Sequence, residues 1–135
     1  MENENKILRI IDANVNRATE GLRVVEEICR FILEDKKLTL TIKSLRGRIN
    51  KIIKTPIKVR ESVKDVGRDT YIETEGKREK LEDVFQANMK RAQEAVRCLE
   101  EFSKLIDAKY GKEYKAIRFK LYTLEKKLRL RVSKA

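Results

Sequence analysis

Asp12-Ala-Asn-Val-Asn-Arg-Ala-Thr-Glu-Gly-Leu-Arg-Val-Val-Glu-Glu-Ile-Cys-Arg-Phe-Ile32 returns 74 positions later as Gln86-Ala-Asn-Met-Lys-Arg-Ala-Gln-Glu-Ala-Val-Arg-Cys-Leu-Glu-Glu-Phe-Ser-Lys-Leu-Ile106, with nine identities in 21 places. The repeated residues are Ala13, Asn14, Arg17, Ala18, Glu20, Arg23, Glu26 and Glu27 in the first copy. Ala87, Asn88, Arg91, Ala92, Glu94, Arg97, Glu100 and Glu101 answer them in the second. Each copy carries apolar residues every three or four positions, the period of an amphipathic helix. A duplicated helix of this kind has one apolar face and must bury it against something, most economically its own duplicate.

Outward from the repeat, the first stripe runs through Ile7, Ile11, Val15, Ala18, Leu22, Val25, Cys29 and Ile32, which predicts a helix over about 4–34. Leu38, Ile42, Leu45, Ile49, Ile52 and Ile53 predict a second helix, with Asp35, Thr39 and Thr41 as candidate caps and a stop at Thr55-Pro56. A third helix is expected over about 78–108, with Leu81, Phe85, Met89, Ala92, Val96, Leu99, Phe102 and Ile106 facing inward. Gly111 is expected to separate it from a fourth, striped by Tyr114, Ile117, Leu121, Leu124, Leu128 and Val132. Lys43-Ser-Leu-Arg46 aligns with Lys115-Ala-Ile-Arg118 at a shift of 72, so the second and fourth helices repeat as well. The expected fold is an all-α four-helix bundle of two pseudo-symmetric helical hairpins, 4–54 and 79–133, joined by a long, substrate-binding loop over 55–78. Within that loop Ile57–Val59 and Thr70–Ile72 are expected as short strands.

Composition narrows the chemistry. The 135 residues are 41% hydrophobic and 41% charged, enough apolar surface for one core and too many charges for a membrane protein. The polar start, Met1–Asn5, is unlike a secretory signal, and two cysteines suit a reducing compartment, so a cytoplasmic location is expected. With no histidine, His-based triads are excluded and a transition-metal site is disfavoured. Cys29 on the apolar stripe and the isolated Cys98 read as packing residues. The net charge of +11 points to anionic partners. Ten Lys/Arg against two Glu fall in residues 109–135, so the fourth helix carries most of the excess.

Asn14 falls inside the first apolar stripe and Asn88 inside the third. A buried Asn needs hydrogen-bond partners, so the pair is expected to fix register or to line one polar pocket. Arg17 and Arg91 follow at the edge of each stripe, where a forked guanidinium suits phosphate. The loop adds Arg60, Lys64, Asp65, Gly67, Arg68 and Asp69, and residues 58–69 are expected to close over substrates. The resulting expectation has Asp65 and Arg60 as catalytic residues and Asn14, Arg17, Asn88, Arg91, Gly67 and Arg68 as phosphate-binding. Asp65, with Glu20 and Glu94 behind it, is expected to hold a divalent ion. Gly-rich phosphate loops and dinucleotide fingerprints are absent from the sequence.

The segments Arg9–Glu27, Arg60-Glu-Ser-Val-Lys-Asp-Val-Gly67 and Gln86–Phe102 resemble the small hydroxymethylpyrimidine phosphate kinase of thiamine biosynthesis, a domain found alone or fused ahead of thiamine phosphate synthase. The resemblance covers nearly the whole chain. It departs at Arg60-Glu-Ser-Val63, where the family pattern has Arg-Asp-Thr-Pro. It implies transfer of phosphate from ATP, with Mg²⁺, to a phosphorylated pyrimidine. Two other readings of the residues stand beside it. One is a basic helical nucleic-acid-binding module, suggested by the fourth helix. The other is a chorismate-mutase-like helical enzyme that binds a dicarboxylate through Arg. Phe119 and Leu130, three turns apart on that helix and off its main stripe, suggest a homodimer.

Overall fold

The structure, a computed structural model, describes residues 2–70, 72 and 76–135. Among these there are four α-helices and no strand. Helix α1 spans Glu2–Glu27 and passes into a π turn, Ile28–Ile32; α2 spans Lys36–Ile52, α3 Leu81–Ser103 and α4 Ala108–Ser133. The core consists of the predicted stripes almost residue for residue. Ile11, Ala18, Leu22 and Val25 of α1 pack with Ile42 and Ile49 of α2, Phe85, Met89, Val96 and Leu99 of α3, and Tyr114, Ile117, Leu121 and Leu128 of α4.

Two ion pairs carry the pseudo-symmetry. Arg46 Nε and Nη2 reach Glu26 Oε1 at 2.9 and 2.8 Å, tying α2 to α1. Arg118 Nε reaches Glu100 Oε1 at 2.7 Å, tying α4 to α3 in the equivalent place. Both carboxylates are buried, and their arginine side chains are largely covered as well. Within each hairpin the helices are antiparallel, since residue 26 pairs with 46 and residue 12 with 55.

The first and third helices are antiparallel too. Near its start α1 lies beside Leu105 and Ile106, just beyond the end of α3, while Gly21 lies against Asn88 and Ala92. The pseudo-two-fold therefore passes close to Ala18 and Ala92. This order, up-down-down-up, makes α2 and α3 parallel. A parallel pair cannot be joined by a tight turn, and the crossover has to return along roughly 25 Å of helix at 1.5 Å per residue. That is why 28 residues, 53–80, separate two helices of a small bundle.

Several expectations are corrected here. Ile57–Val59 is a 3₁₀ turn and not a strand: Val59 and Arg60 donate to the Pro56 and Ile57 carbonyls, so the segment closes on itself. The strand expected over Thr70–Ile72 centres on Tyr71, which lies outside the described residues. Ile32 and Ile106, expected inward, are 51% and 46% exposed. The π turn, with Leu33 N–H on the Ile28 carbonyl, rotates Ile32 off the stripe, and α3 ends before Ile106. Asp35 is the cap of α2, accepting from Leu38 N–H at 2.9 Å, whereas Thr39 and Thr41 bond back to carbonyls four residues earlier.

Gly111 does not break the chain. Asp107 caps α4 ahead of it, and Gly111 sits inside α4 where an added Cβ would lie 3.2 Å from the Glu100 carbonyl. Gly21 is the tighter contact: a Cβ there would fall 2.7 Å from the Asn88 backbone oxygen. Gly21→Ala should therefore cost about 1–2 kcal/mol in urea unfolding, because forced separation of α1 from α3 outweighs the roughly 1 kcal/mol gained in helix propensity. A net gain in stability would contradict so close a crossing.

Candidate active site

The face of α1 that carries Lys6, Ile10, Ala13 and Arg17 has the spacing i, i+4, i+7, i+11 and runs beside the core stripe. With Arg9 and Asn14 from the same helix, it forms the floor of an open cavity of about 400 Å³. Lys64, Asp65 and Val66 of the crossover form the opposite wall. Four cations against one carboxylate make this a positive cleft, and Ile10 and Ala13 in the floor with Val66 in the wall give it a non-polar surface beside the charges.

Asn14 is 4% exposed; its amide donates to the Ile10 carbonyl at 2.9 Å, and its Oδ1 accepts a long 3.4 Å contact from Arg17 Nη1. That contact orients the guanidinium from behind and leaves most of its donors toward the cavity. Arg9 Nη2 donates to the Glu61 carbonyl at 2.8 Å, which brings the crossover down onto α1.

Arg60 forks onto Asp12. Nε reaches Oδ2 and Nη2 reaches Oδ1, both at 2.9 Å, while Thr55 Oγ1 adds a third bond to Oδ1. The Arg60 hydrogen bonds hold the Asp12 carboxyl below its ordinary range against the opposing effect of burial, and Thr55 assists. A lowered carboxyl pKa places this stabilisation above the unfolded value of about 3.9. It is lost only as pH falls through the lower folded value, so the bridge is intact at neutral pH. Glu20 adds its charge to the field at Arg60.

The expected site is thus assembled in part. Asn14, Arg17 and Asp65 meet at the cavity, and Arg60 stands behind it with its fork on Asp12. Asn88 and Arg91 do not join them. Asn88 is half-buried and donates to the Val84 carbonyl at 2.8 Å. Arg91 is exposed and makes no hydrogen bond or ion pair among the described residues. The antiparallel crossing explains this: symmetry about Ala18 and Ala92 sets the two asparagines about 12 Å apart along the bundle, so they cannot share one pocket. Glu20 and Glu94 are exposed and neither lines the cavity, and no group of three or more acidic, Cys or His residues is placed to hold a metal among the described residues. Asp65 Oδ1 accepts from Gly67 N–H at 2.9 Å, a turn that leaves Oδ2 uncommitted. Gly67 and Arg68 are exposed on the same loop, outside the cavity wall.

Lys6, Arg9 and Asp12 were not singled out in the sequence. The first two lie on or beside the secondary stripe just described, the signal that marks them. Asp12 is marked by asymmetry, since the repeat has Gln86 in its place. Cys29 is buried, and that burial raises its thiol to about 11, so it is an inert packing group.

Fold and cleft together define an all-α protein of duplicated hairpins, with a cation-walled groove along its first helix. The chain belongs to the ThiD2 family, which its residues 9–127 match. It is 41% identical over 123 residues to a thiamine-phosphate synthase of Nostoc punctiforme, an alignment covering 90% of this chain and 35% of the relative. It is 42% identical over 120 residues to that of a Synechocystis strain, covering 88% of this chain and 35% of the relative. A Rhodopirellula baltica thiamine-phosphate synthase is 37% identical over 132 residues, covering 94% and 35%. The chain spans about a third of the length of the curated relatives it matches. No solved structure matches it. No helix among the described residues is long and apolar enough to cross a membrane.

Proposed function

We propose that this protein is an enzyme of thiamine biosynthesis that transfers the γ-phosphoryl group of ATP to hydroxymethylpyrimidine phosphate, giving the diphosphate and ADP. The observation that carries this reading is the groove of Lys6, Arg9, Arg17 and Lys64 in a chain of the ThiD2 family. Its shape and charge suit a small phosphorylated ring, with the phosphate among the cations and the ring against Ile10, Ala13 and Val66.

The acceptor is a phosphate monoester with a second pKa of about 6, largely dianionic at neutral pH. One of its oxygens forms the new bond to the γ-phosphorus as the bond to the β–γ bridging oxygen breaks, and ADP leaves with that electron pair. No general base is required, which accords with a histidine-free chain. The remaining task is to align two anions and neutralise their repulsion. Arg17 and Lys64 face each other across the cleft for this purpose, and Arg9 both contributes charge and holds the loop. Mg²⁺ characteristically binds substrate phosphates with one or two carboxylates, so Asp65 alone suits it as the cavity-lining carboxylate, and Glu20 and Glu94 do not.

A coupled ADP-release assay with hydroxymethylpyrimidine phosphate tests the reading. ADP formation dependent on that acceptor, and absent with the unphosphorylated alcohol, is the expected result; no acceptor-dependent ADP would refute it. Asp65→Asn keeps the turn to Gly67 but removes the charge, and it should raise the Mg²⁺ concentration needed for half-maximal turnover by about tenfold, the loss of one charged ligand contact. Near-normal turnover at limiting Mg²⁺ would exclude the metal role. We also propose self-association through α4, where Phe119 and Leu130 are 52% and 61% exposed and Phe119 meets Tyr122 edge-on. Sedimentation in moderate salt should give a dimer at micromolar concentration, and a monomer there would discard that surface.

A further inference from the structure

We infer that Asp12 is a positioning residue: through Arg60 and Thr55 it staples the crossover to α1 and thereby places Lys64, Asp65 and Val66 as the outer wall of the cleft. Its side chain is 10% exposed, and both oxygens are engaged by the crossover. Between the two stapled residues lies the 3₁₀ turn, whose Val59 is buried, and one residue beyond Arg60 the Glu61 carbonyl is held by Arg9. Residues 55–61 are thus fixed to α1 at successive points.

Among the described residues, the segment that follows makes no hydrogen bond of its own to α1 and is tied only to Glu61. Residues 62–70 are all exposed, and their backbone bonds are local: Val63 and Lys64 N–H donate to Glu61 Oε1 at 2.9 and 3.0 Å, Asp65 N–H to Ser62, Arg68 N–H to Asp65 and Thr70 N–H to Gly67. Such local turns give the segment shape but not position. Its place over α1 is inherited from residues 55–61, and the buried charged group within that anchor is the Asp12 carboxylate. Asp12 does not itself line the cavity, so it acts through the loop. The second half of the repeat supports this. It has no crossover to hold, and there the carboxylate is replaced by Gln86.

The kinetic consequence rests on the kinase reading above; the positional one does not. The test combines backbone amide exchange with steady-state kinetics on Asp12→Asn, Arg60→Lys and the double variant. In Asp12→Asn, exchange at Val59 and Arg60, in the anchored turn, should rise about tenfold while the amides of α3 and α4 keep their rates, the signature of local opening. KM for the pyrimidine phosphate should rise about tenfold with kcat within about twofold, and the double variant should be no worse than the worse single one. Unchanged exchange at those two amides overturns the inference. So does a rise spread evenly through all four helices, which would mean general loss of stability, or a loss confined to kcat. If the unmodified protein has no kinase turnover, the proposed function fails, and the exchange data still decide the role of Asp12.

Discussion

Arg118→Met is expected to cost about 3–5 kcal/mol of stability, the largest loss from any single substitution considered in this molecule, because it leaves Glu100 charged and buried without its bidentate partner. Glu100 is 4% exposed. Burial opposes its ionisation, but Arg118, aided by Arg97 and Lys104, outweighs burial and holds the carboxyl below its ordinary range. In a domain of this size the loss corresponds to a melting temperature lower by roughly 10–15 °C. The sign with pH follows from the lowered carboxyl. The pair stabilises the intact protein above the unfolded carboxyl value of about 4.3, and that contribution is lost as pH falls through the lower folded value. In Arg118→Met the stranded carboxyl can take up a proton, so the deficit should shrink on acidification. Replacing both Glu100 and Arg118 by Met should recover much of the loss, since paired removal leaves no uncompensated charge. A deficit under about 1 kcal/mol would class the bridge with exposed surface pairs.

Arg17→Lys carries the second large effect, and it should appear in catalysis and not in stability. Arg17 is exposed at the cavity, and among the described residues its one side-chain hydrogen bond is the long one to Asn14. Replacement should leave the melting temperature nearly unchanged. Loss of a charged, forked hydrogen bond to phosphate costs about 1.5–3 kcal/mol, or about ten- to more than a hundredfold in kcat/KM. Lysine keeps the charge but lacks the planar fork, so it should not restore the rate. Arg91→Lys is the internal comparison. Arg91 occupies the equivalent place on α3 but does not line the cavity, and its replacement should affect turnover much less. Equal losses in the two variants would mean that the groove extends across the pseudo-two-fold to α3.

The bundle could be read from the chain because its information is periodic. Stripes such as Ile11, Ala18, Leu22 and Val25 report their own helix, and the repeat reports that the helices come in pairs. The direction of packing between α1 and α3 is not periodic information. It depends on the contact at Gly21, where a missing side chain lets two backbones meet, and in sequence Gly21 differs from its partner Ala95 by one methyl group. Without that direction, the sequence does not distinguish an Asn14–Asn88 pair that fixes register or lines one pocket from two asparagines set apart along the bundle. Gly111 misled for a related reason: it is a contact glycine inside a helix, and the sequence alone does not distinguish this from a break. The cavity was legible where it borders the core stripe, at Asn14 and Arg17, and in the charged loop around Asp65. It was not legible at Asp12 and Arg9, because their partners, Arg60 and the Glu61 carbonyl, lie some fifty residues away and are joined to them only by the folded crossover.

The central claim is that phosphate itself is the acceptor, held by the cations of α1 and the crossover. Phosphorus NMR of the protein with hydroxymethylpyrimidine phosphate, ATP and Mg²⁺ observes that event directly. The monoester signal should fall as a pair of diphosphate signals rises in step with ADP, and the Arg17→Lys protein should follow the same course more slowly. A monoester signal that persists while ATP is consumed, or a mixture that stays unchanged, would contradict the account.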